Sequence, residues 1–456
     1  MDSNSSDRDF QTRLEAVIPG GAHTYSKGRD QYPSNAPSVL LRGKGSRVWD
    51  SNGNEYIDYG MGLKSVLLGY GFPEIVEAAY AEMLKGNNLS RPSLIELEAA
   101  ELLTDLIKSA EMVKFAKNGS NVTTAAVKMS RAFTGKKFVC VPEEQPFFSF
   151  DDWFIGSTAV AKGIPVEHHS FTLKFNFGNI ASLEKLFDQH PGEIAVVLLE
   201  PATDLLPCSN LCKYDLVPNC LSCSFSNHNF LKQVEILCKK HNVIFILDEM
   251  RTGFRWDIGG AQKLFDVNPD LSTFGKGIAN GFSLAALTGK REIMELAGIK
   301  QEGQERTFLL SSTHGAEMSS LGAFVATAKI CDENNVSQYL WTFGSRLLST
   351  IRSIITEFQL NEHVKIVGPA IAFEIYFTGN EKTSKEEIKT LFLQEMLSAG
   401  VMLTFWAPSF SHDDSDLEIT ESALRSSLAK VRRALEEGAA NYLVGPLVKP
   451  VFRKYN

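Results

Sequence analysis

Two patterns of apolar spacing divide this chain. Between residues 113 and 289 short apolar runs recur: VKFA (113–116), FVCVP (138–142), IAVVLL (194–199), VIFIL (243–247) and LAALTG (284–289). Around them, PEIVEAAYAEML, SLIELEAAELLTDLI, NVTTAAVKMSRAF, ASLEKLFDQ and NFLKQVEILCKKH repeat their apolar positions with helical spacing. Strands without a polar face predict a sheet covered on both sides, and their alternation with helices predicts parallel pairing. Ligands of such sheets gather at the carboxyl ends of the strands.

The flanks read differently. Residues 1–70 are rich in Gly and Pro, and SRVWD and EYIDY flank an Asn52-Gly53 turn, a strong hairpin signal. Beyond residue 326, long amphipathic stretches (SQYLWTFGSRLLSTIRSIITEF, KEEIKTLFLQEMLSAG, SALRSSLAKVRRALEEG) surround short strands such as IAFEIYF. The pattern predicts an N-terminal segment and hairpin (1–70), a large α/β domain (71–325) and a smaller α+β C-terminal domain (326–456). A lone hairpin is marginal, so it is expected to join the C-terminal domain.

Composition narrows the function classes. The 456 residues carry 46 Lys+Arg against 54 Asp+Glu, a formal charge of −8, which argues against a nucleic-acid partner. No apolar run approaches the roughly 18 residues of a membrane-spanning helix. The polar start MDSNSSDRDF lacks a signal or transit pattern. The expectation is a cytoplasmic protein with reduced thiols and no membrane partner.

Three segments carry candidate chemistry. Asp248 follows the run VIFIL, where an acid at a strand end is either a turn cap or a group aimed into the ligand crevice. Lys276, in TFGKGIANG, is either a solvated loop lysine or a Schiff-base lysine between glycines that let a ligand approach closely. Asn118-Gly119-Ser120-Asn121 lies between a strand and a helix, where backbone N–H groups and a hydroxyl can bind a phosphate dianion. Lysine, carboxylate and phosphate cradle together are what pyridoxal phosphate requires of a protein.

The segments IPGGAHTYSKG, VWDSNGNEYIDYGMG, FAKNGSNVTTAAVKMSRAFTGKK, DEMRTGFR and TFGKGIANGF resemble class III aminotransferases of pyridoxal phosphate fold type I. The similarity is to the branch containing glutamate-1-semialdehyde 2,1-aminomutase. FFSFDDWFIGST, SSTHGAE and VKPVFRKYN resemble its relatives in sugar and surface-polysaccharide pathways. The resemblance implies an α/β fold with a large, mostly parallel sheet and a smaller α+β domain. It also implies a homodimer that moves an amino group from a small-molecule donor, such as glutamate, to a carbonyl substrate, with a sugar or nucleotide sugar among the candidates. Lys276 and Asp248 would be catalytic: Lys276 would hold the cofactor and shuttle a proton, and Asp248 would keep the pyridine nitrogen protonated. Gly119, Ser120 and Asn121 would hold the phosphate, Phe147 would stack on the ring, Glu200 would lie beside it, and Thr313 would reach the neighbouring subunit's phosphate. The sequence departs from the family at Phe147-Phe148-Ser149, where Tyr-His-Gly is usual. It departs again at Asn121, where an acid is usual, and at Lys27, where the aminomutase has an arginine. An aminomutase, moving the amine within one substrate, and a non-catalytic protein that kept the fold are the alternatives.

Four of the seven cysteines, Cys208, Cys212, Cys220 and Cys223, fall in one stretch that reads as an insertion. Their paired spacing predicts a closed tetrathiolate site for structural zinc, with His228 near enough to replace one ligand and the cluster otherwise available as a binding module.

Overall fold

The structure, a computed structural model, describes residues 3–203, 205–208 and 229–456. The chain clusters into two units, one of residues 1–72 and 339–451, the other of residues 73–338 and 452–456. Thirteen strands are found among the described residues. In chain order they are β1 (Leu40–Lys44), β2 (Arg47–Asp50), β3 (Glu55–Asp58), β4 (Met112–Ala116), β5 (Phe138–Pro142), β6 (Thr172–Phe175), β7 (Ile194–Leu199), β8 (Ile244–Asp248), β9 (Leu271–Phe274), β10 (Ala285–Gly289), β11 (Val364–Val367), β12 (Glu374–Phe377) and β13 (Val401–Met402).

The second unit is built on a seven-stranded sheet of order β4-β10-β9-β8-β7-β5-β6. The strands β9, β8, β7, β5 and β6 pair in parallel, and β10 runs antiparallel to both its neighbours, β4 and β9. The reversal follows from chain length: residues 275–284 are too few for a covered crossover, so β9 and β10 close as a hairpin. Every residue of β7 and β8 is buried, as their unbroken apolar runs require. The helix Gly119–Thr134 turns Val122, Ala126 and Met129 onto Val139, Val196, Leu198 and Ile246 of the sheet. This is the expected α/β class, with one strand reversed and with β6 and β9 added to the five strands legible in the sequence.

The first unit holds the hairpin β2–β3, closed by Asn52-Gly53 with Gly53 at φ 84°. Two further strands extend it, β1 antiparallel to β2 and β13 parallel to β3, with Ile57 opposite Val401. A pair β11–β12 and the helices Lys385–Ser398 and Asp414–Glu437 also belong to the unit, as does most of the helix Val336–Glu357. The last helix starts earlier than its apolar spacing suggests, because Asp413 and Asp416 form a capping box ahead of it. Among the described residues, no helix is long and apolar enough to cross a membrane.

Candidate active site

The strand directions bring five loops of the second unit to one rim of the sheet. The carboxyl ends of β4, β5, β7, β8 and β9 and the amino end of β10 all lie there. Asn118–Asn121 follow β4, Gln145 and Phe147 follow β5, Glu200 follows β7, Asp248 ends β8, and Lys276 lies between β9 and β10.

At β4 the chain enters its helix through Asn118, whose side chain caps the Asn121 N–H at 3.1 Å. The cap uses Asn121's backbone donor internally. The N–H groups of Gly119 and Ser120 belong to the first turn, where no intrahelical acceptor exists. Ser120 is buried, and its Oγ accepts the Phe150 N–H at 3.1 Å, so its own O–H is left to donate elsewhere. Gly119 packs tightly on Met250: a Cβ there would stand 3.0 Å from the Met250 methyl, so the thioether would have to give way.

Asp248 is 3% exposed. Its Oδ1 accepts from Thr273 Oγ1 at 2.8 Å and from the Met250 N–H at 3.0 Å. Burial, followed by the charge of Glu200, pushes its carboxyl up to about 7, against the pull of Thr273, Lys276 and Met250. Lys276 opens a short 3₁₀ turn, Lys276–Ala279, with its own backbone left-handed at φ 48°. Burial, followed by the Arg251 charge, pushes its amine below the usual lysine range, and Glu200 and Asp248 oppose this. Glu200 is 4% exposed and accepts from Arg251 Nε, and Gln145 holds its backbone from both sides, at 2.8 and 3.1 Å.

Met250 ties the loops together. Its thioether fills the space between the Gly119 and Gly275 backbones; a Cβ on Gly275 would come within 2.3 Å of the sulfur. Gly119, Ser120, Asn121, Glu200, Asp248 and Lys276 are therefore gathered on one rim. Phe147 lies beside them on a segment pinned to the same helix, where Thr123 Oγ1 donates to the Phe148 carbonyl at 2.7 Å. The Phe147 ring is 43% exposed, stacked on Phe452 and edge-on to Phe154. Thr313 is exposed in a loop whose Gly315 runs beside the Phe115 carbonyl, and its own carbonyl accepts from Asn88 at 3.0 Å. Lys27 is exposed in the first unit, where its charge acts on Asp58. Reasoning from sequence missed Gln145, Met250, Arg251 and Thr273. Only Met250 and Arg251 carried a signal, their place in DEMRTGFR.

The zinc expectation is corrected. Among the described residues, no group of three or more His, Cys, Asp or Glu side chains could hold a metal ion. Cys212, Cys220, Cys223 and His228 lie outside the described residues. Cys208 is described, half-buried, and its backbone bridges Asn229, while the Phe230 N–H donates to the Pro207 carbonyl at 2.8 Å. The two described ends of the stretch are thus joined by main-chain hydrogen bonds.

The rim fits pyridoxal phosphate. Glycines at 119 and 275 leave the backbone open, a helix amino end faces the rim, and a buried carboxyl has one oxygen beyond the two hydrogen bonds it accepts on Oδ1. The sequence profile of the family described as aminotransferase class-III matches residues 30–202 and 223–428. The 3-aminobutyryl-CoA aminotransferase of Cloacimonas acidaminovorans is 28% identical, over 92% of this chain and 95% of its own. The glutamate-1-semialdehyde 2,1-aminomutase of Persephonella marina is 31% identical, over 84% of this chain and 89% of its own. The pyridoxal phosphate form of the FumI protein from a Sphingopyxis species superposes with a TM-score of 0.82 at 25% identity, covering 95% of this chain and 98% of its own.

Proposed function

The chain belongs to the class-III aminotransferases, and on that premise we propose that it moves an amino group from a small-molecule donor to a carbonyl acceptor. It is a pyridoxal phosphate-dependent enzyme; the non-catalytic alternative is set aside. Bound cofactor supplies an electron-withdrawing ring that stabilises negative charge on the carbon carrying the amine. The observation that carries the reading is the buried Asp248 on the same rim as Lys276 and the Gly119–Ser120 turn.

In this reading Lys276 attaches the cofactor and moves the proton at the amine-bearing carbon, a task suited to an amine below the ordinary ammonium range. Asp248 holds the proton on the ring nitrogen. Two of its hydrogen bonds, from Thr273 and Met250, aim it there. Gly119 and Ser120 bind the phosphate through first-turn N–H groups and the Ser120 hydroxyl, with Asn121 kept in register by its cap. Phe147 covers the ring, Glu200 lies beside it, and Thr313 of the partner subunit completes the phosphate cradle. A homodimer is supported by the exposed apolar side chains of Val76, Tyr80, Met83 and Leu84, which recur along one face of a helix and its end.

A spectral screen of amino donors and of carbonyl acceptors, sugars and nucleotide sugars included, tests the reading. Donor-dependent bleaching of the visible band, reversed by an acceptor, is the expected result; a protein that takes up no cofactor would end it. A second reading, an aminomutase, is favoured by the name of the Persephonella relative. It requires turnover of a single substrate with no added donor.

A further inference from the structure

Arg251 is not required to explain how the rim holds a cofactor, yet its guanidinium is anchored. It lies three residues beyond Asp248, and its Nε–H donates to Oε2 of Glu200. Glu200 is itself immobilised. Gln145, 1% exposed, accepts the Glu200 N–H and returns its own amide N–H to the Glu200 carbonyl. On the other side Met250, next to Arg251, is wedged against Gly275, which precedes Lys276. Loops from β5, β7 and β8 thus give one guanidinium one place. The Glu200 side of this ion pair is buried and the Arg251 side half-buried, and such a pair is weak evidence for stability, since well-packed apolar residues often serve as well. Its placement here has an electrostatic consequence instead. A guanidinium does not lose its proton in proteins, so this cation is permanent.

We propose that Arg251 is a positioning residue for Lys276: the Gln145–Glu200–Arg251 chain fixes a permanent positive charge near the lysine nitrogen, disfavours a second cation there, and keeps that nitrogen able to attack a carbonyl. The proposal rests on Lys276 being the lysine that takes the cofactor. The charged groups facing Lys276 are Asp248 from β8, Glu200 after β7 and Arg251 itself. Asp248 pairs with Thr273 across β8 and β9, so Arg251 and Lys276 each lie three residues past the same paired position. The helix Met318–Glu333, packed on the Lys276–Ala279 turn, carries charge only at Lys329, Asp332 and Glu333 near its far end, and Glu317 ahead of it pairs with Lys117.

The test is a pH titration of the visible absorbance of the holoenzyme, which reads the proton on the nitrogen joining Lys276 to the cofactor. Arg251→Gln is expected to move the midpoint up by about 1 pH unit, the size of effect a neighbouring charge produces. Arg251→Lys, which keeps the charge, is expected to restore the wild-type midpoint. Urea unfolding establishes that each variant is folded, and should Arg251→Gln not fold, Arg251→Met, which also removes the charge, carries the test with the same expected upward shift. A charge-free variant titrating with the wild type, or a Lys variant shifted as far as the charge-free one, overturns the proposal. Borohydride reduction of the wild type separates the two levels of the argument. Label missing from the Lys276 peptide defeats the functional reading and the proposal together, whereas label on Lys276 with an unmoved midpoint defeats the proposal alone.

Discussion

Replacing Asp248 by asparagine should make the cofactor-free protein more stable while disabling the enzyme. Burial and the Glu200 charge hold the Asp248 carboxyl at about 7, against an ordinary value of 3.8. The native state therefore binds this proton more tightly than the unfolded chain does. Its stabilising effect is complete below the unfolded value and is lost as pH rises through the native one. At about 1.4 kcal/mol per pH unit, the interval corresponds to a penalty of about 4 kcal/mol at pH 8. Asparagine does not ionise, and its oxygen can still accept from Thr273 and Met250, as Asp248 Oδ1 does. Urea unfolding of cofactor-stripped protein should show Asp248→Asn more stable than wild type by up to about 4 kcal/mol at pH 8. The gap should narrow to about 1–2 kcal/mol at pH 5 and close near pH 4. Turnover of the loaded variant should fall by orders of magnitude, because a neutral amide cannot hold a charged ring nitrogen. A variant less stable than wild type by the same amount at every pH would show that this acid is structural and refute the reasoning.

Lys276→Ala should bind cofactor weakly and lose nearly all turnover, and borohydride should label the Lys276 peptide of the wild type; label at Lys290 or Lys27 would reject the assignment. Gly275→Ala should cost about 1–3 kcal/mol, since a Cβ 2.3 Å from the Met250 sulfur overpacks a side chain already set against Gly119. Combining it with Met250→Ala should recover part of that loss in urea unfolding, and strict additivity of the two changes would show that they do not clash. Sedimentation should find a dimer or larger assembly, and a fully active monomer would remove Thr313 from the site.

The strands legible in the sequence are those whose side chains are apolar on both faces, such as β7 and β8. The strand β9 was missed because it reads Leu-Ser-Thr-Phe, yet all four residues are buried. Its hydroxyls make this possible: Thr273 donates to Asp248, and Ser272 lies at 3.4 Å from the Gln262 amide. A polar strand of this kind is stabilised by partners distant in sequence, which periodicity cannot reveal. The strand β6, four residues at the edge of the sheet, is too short to show a period. In the site, Asp248, Lys276 and the Asn118–Asn121 turn could be picked out because strand ends and flanking glycines mark them locally. Gln145 could not, because its role exists only once β5 and β7 pair. The cysteine spacing misled for the opposite reason: it is a local pattern, and the described part of that stretch is joined by backbone pairing at Cys208 and Asn229.

The reversed strand β10 has a consequence for motion. Phe274 pairs with Ala286, and Ala285 with Ala116, so Lys276 stands two residues beyond a ladder anchored on both sides. A lysine carried on a long flexible loop could swing aside while the sheet stayed intact. Here displacement of the lysine pulls on the paired end of β9, two residues away. The amide protons of Phe274 and Ala286 should accordingly exchange with deuterium more slowly when cofactor is attached, giving a readout of the lysine's tether that needs no substrate.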